Sequence, residues 1–181
     1  MPKRPTKSPP KVLTIGHSTR SIESFIEMLR ANGVKRVVDV RTIPRSRTNP
    51  QFNRESLPKA LAEAGIGYTH AAELGGLRHA RKDSLNAGWR NASFRGYADY
   101  MQTPEFQAAI ESLIEAAKGE QVAIMCAEAV PWRCHRSLIG DALKARGIAV
   151  EDIMSATRTQ PHELTSFAKV KGTQVTYPDI D

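Results

Sequence analysis

Two cysteines, Cys126 and Cys134, stand eight positions apart in the stretch richest in reactive side chains, QVAIMCAEAVPWRCHR at residues 121–136. Glu128, Trp132, Arg133, His135 and Arg136 share it. A thiol, a carboxylate, an imidazole and guanidinium groups together supply a nucleophile, proton carriers and anion-binding charge. Two more stretches carry similar chemistry. TIGHSTR at residues 14–20 brings His17, Ser18 and Arg20, and VVDVRTIPRSR at residues 37–47 brings Asp39, Arg41, Arg45 and Arg47. His17, Cys126, Glu128 and His135 are the candidates for proton transfer or nucleophilic attack. Ser18, Arg20, Asp39, Arg41, Arg45, Arg47, Arg133 and Arg136 are the candidates for holding a ligand.

The elements around these residues follow from hydrophobic periodicity. Residues 122–125 are an apolar run too short for a helix and read as a buried strand. Residues 137–146 follow with a helical pattern, with Leu138, Ile139, Ala142 and Leu143 inward and Gly147 as the stop. Strand, polar loop and helix in that order put chemistry at the carboxyl end of a parallel sheet. Residues 12–15 form a similar strand, and Ile22, Phe25, Ile26 and Leu29 mark the helix after its turn, capped by Ser21 and stopped by Gly33. Residues 34–40 are the next strand, so close that the pair is expected to be parallel. A short helix at 55–64, a strand at 66–71, a tight turn at Leu74-Gly75-Gly76 and a long polar loop at 77–93 follow, then a helical stretch at 94–101. Thr103-Pro104-Glu105 starts a helix whose inward stripe is Phe106, Ile110, Leu113, Ile114 and Ala117. Residues 148–153 are expected to be the last strand, and 155–181 a polar extension with a small hairpin near 169–177. The alternation predicts one α/β domain over residues 11–181, a three-layer α/β/α arrangement with a mostly parallel central sheet. A disordered basic tail is expected at residues 1–10.

In such a sheet the carboxyl ends of the strands share one edge, which collects the candidates together with His70 and Glu73. The expectation is a single crevice binding a phosphate-bearing ligand, a nucleotide or nucleic acid, with possible catalysis. Arg41, Arg47 and Arg136 would hold the anion, and His17 and His135, helped by Glu128, would move protons. One alternative is a non-catalytic nucleic-acid-binding module. Its loops 41–54 and 77–95 interleave arginines with Phe52, Trp89 and Phe94, which suits stacked bases and equally a solvated basic surface. The other is a thiol or metal site at Cys126 and Cys134.

The loop after Cys126 has the outline of a tyrosine-phosphatase cradle and none of its details. Trp132 stands where the arginine belongs, no glycine allows close backbone approach, Pro131 lacks an N–H, and Glu128 repels an anion. A free cysteine is also an ordinary small buried hydrophobe. Paired metal-ligand spacing is missing, so no metal and no cofactor are expected. Asp39, near the end of a valine-rich strand, is costly to bury unless paired; Arg41 or the Gly16-His17-Ser18 turn could pair with it, and a structural ion pair or a cap on a turn is its expected state, ahead of general-base duty.

Composition bounds the rest. A chain of 181 residues, 40% hydrophobic and 25% charged, fits a soluble globular domain. No apolar run reaches the roughly 20 residues of a membrane span, and residues 1–11 lack the apolar middle of a signal peptide. A cytoplasmic chain without membrane association is expected, and two cysteines make no secreted disulfide framework. The net charge is +7, but four of the 26 basic residues, Lys3, Arg4, Lys7 and Lys11, lie in the tail, leaving 22 against 19 acids. That balance suits a phosphate-bearing small molecule or nucleic acid as partner, and equally a plain basic tail. The sequence specifies no oligomeric state.

Taken in order, TIGHSTR, VVDVRTIPRSR, LGGLR, CAE and CHR resemble the domain of unknown function 488 family over about residues 13–153. The resemblance implies an α/β fold and a shared site but no reaction. Its motif residues fall on Gly16, His17, Ser18, Arg20, Asp39, Arg41, Pro44, Ser46, Arg47, Leu74, Gly75, Gly76, Cys126, Glu128, Cys134, His135 and Arg136.

Overall fold

A computed structural model describes residues 10–179. Apart from Pro10, the expected basic tail lies outside the described residues. The chain opens with strand β1 (Lys11–Gly16), helix α1 (Ile22–Ala31) and strand β2 (Arg36–Asp39). Ser21 caps α1 by accepting the Ser24 N–H, and Gly33 turns the chain at φ +69°, a left-handed conformation that suits glycine. Helix α2 (Leu57–Glu63), strand β3 (Gly67–His70), helix α3 (Ala92–Tyr100) and helix α4 (Pro104–Gly119) lead to strand β4 (Val122–Cys126). Helix α5 (Arg136–Ala145), strand β5 (Ala149–Ile153) and strand β6 (Thr159–Pro161) complete the sheet, and β7 (Lys169–Lys171) pairs with β8 (Gln174–Thr176) as a hairpin.

The six strands lie in the order β3-β2-β4-β1-β5-β6, the first five parallel and β6 antiparallel to β5. The expected α/β/α layering with a mostly parallel sheet is what the chain adopts. Side chains alternate across each strand, so each buries one residue set per face. Leu13, Ile15, Val37 and Met125 pack with Phe25, Leu29, Leu57 and Leu61 of α1 and α2. Val12, Val38, Ile124 and Cys126 pack on the other face with Tyr97, Ile110, Leu138 and Leu143 of α3, α4 and α5.

The order of the strands decides where a site can form. From β1 the chain moves outward through β2 to β3 with α1 and α2 on one face, then returns to insert β4 between β2 and β1. The helices after β1 and β4 therefore leave towards opposite faces. Adjacent parallel strands whose exits diverge form a switch point, the usual ligand position in open α/β sheets.

Two expectations change. β5 is not the last strand: residues 159–161 add an antiparallel edge, with Glu151 opposite Pro161. The edge position tolerates a proline, and TQP carries no apolar alternation that would announce a strand. The aromatic residues of the arginine-rich loops, which suited stacked bases and a solvated basic surface equally, also turn inward. Phe52 is buried against His17 and Phe25, while Trp89 packs on Phe94, Phe167 and Tyr177. The long loop is pinned by buried Asn86, which bonds Asp99, Gln102 and the Tyr177 N–H.

Candidate functional site

Cys126 ends β4, and its thiol falls on the α5 face by strand alternation. Residues 127–130 then fold back across Gly16, where any Cβ would collide with the Glu128 carbonyl. The chain passes through a short 3-10 turn at Pro131–Arg133, and Cys134 returns to meet Cys126 with the two sulfurs 2.7 Å apart. Both cysteines are free, 2% and 7% exposed. The two sulfurs are therefore neighbours in one buried pair.

Arg136, the first residue of α5, is fully buried beside them. Its guanidinium donates to the Thr14 hydroxyl at 2.9 Å and the Glu128 carbonyl at 2.7 Å, and its backbone N–H points at the Cys134 sulfur at 3.5 Å. The Thr14 hydroxyl in turn donates to buried Asp152. Arg136 Nε has no hydrogen-bond partner among the described residues. A buried cation with no carboxylate in direct contact is costly unless another anion lies near. Burial pushes the Cys126 thiol up, but the Cys134 hydrogen bond, the Arg136 charge and the Glu128 backbone together bring it down to about 7. The same hydrogen bond, followed by burial, pushes Cys134 well above the usual thiol range. The pair is therefore asymmetric: Cys126 is the sulfur that ionises more readily, and Cys134 is the one that keeps its proton.

His135 completes this group. Its Nε2 donates to the Val40 carbonyl at 2.8 Å and its Nδ1 lies 3.4 Å from the Cys134 sulfur. Burial, partly offset by the Val40 carbonyl, brings its pKa down to about 4, so the ring is neutral at pH 7. Gly76 lies against the ring, where a Cβ would come within 2.8 Å of Nδ1.

A second cluster occupies the α1/α2 face. Arg41 makes a two-pronged pair with Asp39, Nε to Oδ1 at 2.9 Å and Nη2 to Oδ2 at 2.7 Å, and also donates to the Phe52 carbonyl at 2.7 Å. The Tyr68 hydroxyl donates to Asp39 at 2.5 Å. Burial, then this bond to Asp39, raise the Tyr68 pKa. His17 sits 3.4 Å from Arg41 Nη1, stacks on Phe52 at 4.4 Å, and turns Nδ1 to the Ser18 carbonyl at 2.9 Å. Its pKa is lowered, chiefly by burial.

The single crevice expected from the sequence is thus two clusters back to back. They meet through backbone: the N–H groups of His17 and Ser18 donate to the carbonyls of Cys126 and Ala127, both at 2.9 Å. The cause is the two-residue period of a strand, which sends Cys126 to one face and His17, Asp39 and Arg41 to the other. The Glu128 carboxylate accepts from the Val130 N–H at 3.3 Å, shaping its own loop. Ser18 takes the left-handed turn position at φ 49°, and Arg20 reaches back to the Gly16 carbonyl at 3.3 Å. Arg45, Arg47 and Arg133 are exposed. His70 supports the Arg41 carbonyl at 2.8 Å.

Sequence reading passed over Thr14, Tyr68 and Asp152. Asp152 carried a signal, an acid in an apolar strand like Asp39, while Thr14 and Tyr68 carried none because both suit ordinary strands. No group of three or more His, Cys, Asp or Glu among the described residues is arranged to hold a metal ion. His17 lies beyond the sheet from Cys126, Cys134 and His135. No helix among the described residues is long and apolar enough to cross a membrane.

No curated protein and no solved structure matches the chain. A family model does, over residues 21–143, a span that holds both the Asp39–Arg41 pair and the whole Cys126-to-Arg136 loop and stops short of the Gly16-His17-Ser18 turn. The chain belongs to the family described as Domain of unknown function DUF488.

Proposed function

We propose that this protein is a dithiol that reacts with small peroxides, with Cys126 as attacking thiolate and Cys134 as resolving thiol. The observation that carries this is the free sulfur pair 2.7 Å apart beside a buried Arg136. Thiolate, not thiol, is the nucleophile, and a neighbouring cation enriches it. Burial of both sulfurs favours an oxidant the size of hydrogen peroxide over a protein disulfide. The Cys126 thiolate attacks one peroxide oxygen, the O–O bond breaks, and hydroxide leaves and takes a proton from solvent to become water. Cys126 is now a sulfenic acid. The Cys134 sulfur attacks it, the S–S bond forms, the S–O bond breaks, and a second water leaves with the Cys134 proton. One peroxide is reduced and two thiols become one disulfide, which an external thiol reductant must restore. A reducing compartment such as the cytoplasm suits a site that rests as free thiols.

The test is one equivalent of hydrogen peroxide followed by denaturing alkylation and mass spectrometry. The expected product has lost two hydrogens, carries a Cys126–Cys134 bond and takes up no alkylating reagent. Two alkylatable thiols after that treatment would sink the reading.

Exposed Arg45, Arg47 and Arg133 support a second reading, contact with a phosphate-bearing partner such as nucleic acid, outside the dithiol. Arg41 and the two terminal nitrogens of Arg136, by contrast, donate to protein acceptors. Oligonucleotide binding that weakens steeply with salt, and further on Arg45→Ala with Arg47→Ala, is the expected outcome. Salt-independent binding, or none, removes it.

A further inference from the structure

We infer that His135 is the proton carrier of the resolving step, taking the Cys134 proton and passing it to the departing hydroxide, and that Gly76 is the residue that lets it stand there. This rests on the dithiol reading and assigns the one step which that reading leaves without a base.

The roles of the ring nitrogens follow from their neighbours. The Val40 carbonyl at 2.8 Å needs a donor, so Nε2 carries the proton and Nδ1 keeps its lone pair. Nδ1 faces the Cys134 sulfur at 3.4 Å, within range for a bond involving sulfur. The other neighbours of that sulfur are Cys126 at 2.7 Å and the Arg136 N–H at 3.5 Å. At rest the Cys134 proton points to the Cys126 thiolate. Once Cys126 carries oxygen it is no longer an anion, and His135 Nδ1 is the acceptor left to that proton.

The Arg136 charge eases loss of the Cys134 proton and disfavours its arrival on His135. The Arg136 charge, committed to the Cys126 thiolate at rest, becomes available to Cys134 when Cys126 is neutral. Burial and the Arg136 charge disfavour the imidazolium formed in passing, so the ring holds the proton only briefly; the Val40 and Leu74 carbonyls offset part of that cost. Gly76 belongs to the Leu74-Gly75-Gly76 turn, to which the sequence assigns no chemistry. A Cβ there would stand 2.8 Å from Nδ1 and 3.1 Å from Cε1 and Cγ of His135. Such separations force the ring or the turn to shift, so a glycine is what allows Nδ1 to stand beside the sulfur.

The experiment follows the lifetime of the Cys126 sulfenic acid. Protein is mixed with hydrogen peroxide, quenched at intervals into denaturant containing a sulfenate-trapping 1,3-dione, and read by mass spectrometry. Wild type is expected to pass to the disulfide with little trapped adduct. His135→Gln, whose amide can keep the bond to Val40, is expected to form the sulfenic acid at the wild-type rate and resolve it at least tenfold more slowly, on the order of what a general base contributes. Gly76→Ala is expected to do the same by displacing the ring, and it reports on the geometry should His135→Gln fail to fold. Cys134→Ser marks the limit in which the adduct persists. Disulfide formation at the wild-type rate in the folded variants overturns the role of His135. Wild type that forms no sulfenic acid and no disulfide overturns the dithiol reading instead, so the two failures are distinct.

Discussion

Cys134 donates its S–H to the Cys126 sulfur across 2.7 Å, and that one bond makes two chemically identical side chains unequal. It opposes the burial that would otherwise raise Cys126, and it holds the proton on Cys134. Replacing Cys134 with alanine removes the donor. The pH midpoint of Cys126 alkylation is expected to climb from about 7 into or above the usual thiol range. A midpoint that stays near neutrality would show that the bond does not set the acidity of Cys126.

Arg136→Met tests the other support of the thiolate. Loss of the charge raises the Cys126 pKa, and a rise of one unit from 7 lowers the thiolate fraction at pH 7 about fivefold. Alkylation at pH 7 is expected to slow by at least that factor, and to recover at alkaline pH. An unchanged rate means that the guanidinium is only a brace for the Glu128 carbonyl.

Asp39 and Arg41 form a buried pair with well-made bonds. Arg41→Met leaves the carboxylate with the Tyr68 hydroxyl and the Arg41 backbone N–H, and is expected to cost about 3–5 kcal/mol in denaturant unfolding. Pairing it with Asp39→Asn is expected to return part of that loss, since no unmatched charge then remains. Strict additivity of the two changes would refute the coupling.

Gly16→Ala places a methyl group where the Glu128 carbonyl lies. The 127–130 loop must move, at a cost of about 1–3 kcal/mol. Because Arg136 binds that same carbonyl, Cys126 alkylation is expected to change in the same variant. Loss of stability with unaltered thiol chemistry would separate the loop from the site.

Stability should fall on acidification through buried His17 and partly buried His135, in both of which burial disfavours the charged ring. His135 has a folded pKa of about 4 against an ordinary 6.5, and His17 is lowered as well, both chiefly by burial. The unfolded chain binds protons that the folded one refuses, so their contribution is intact above pH 6.5 and is lost as pH falls towards 4. For His135 this is roughly 3 kcal/mol. His135→Gln is expected to flatten the pH dependence of unfolding between those limits; an identical slope would show that His135 titrates normally.

The sheet edge was legible because it rests on local rules. Short valine-rich runs, Ser21 and Thr103 as caps and the glycines that close helices each act within a few residues, and the chain adopts the elements they announce. That Asp39 needs a partner was legible for a similar reason, since an acid at a buried strand end is costly alone; that the partner is Arg41 rather than the Gly16-His17-Ser18 turn was decided by the fold. Edge strand β6 was not legible, because its pairing with β5 is made by backbone bonds that any residue supplies.

What the residues determined on their own was an α/β chain with thiol, imidazole and guanidinium groups after its strands. What only the tertiary structure decided was how they divide. Insertion of β4 between β2 and β1, together with strand alternation, places Cys126 on one face and His17 with Arg41 on the other. The return of the loop over Gly16 then brings Cys134 to Cys126. Contacts of this kind depend on strand order and register, which are set by the whole sheet rather than by any stretch of sequence within it.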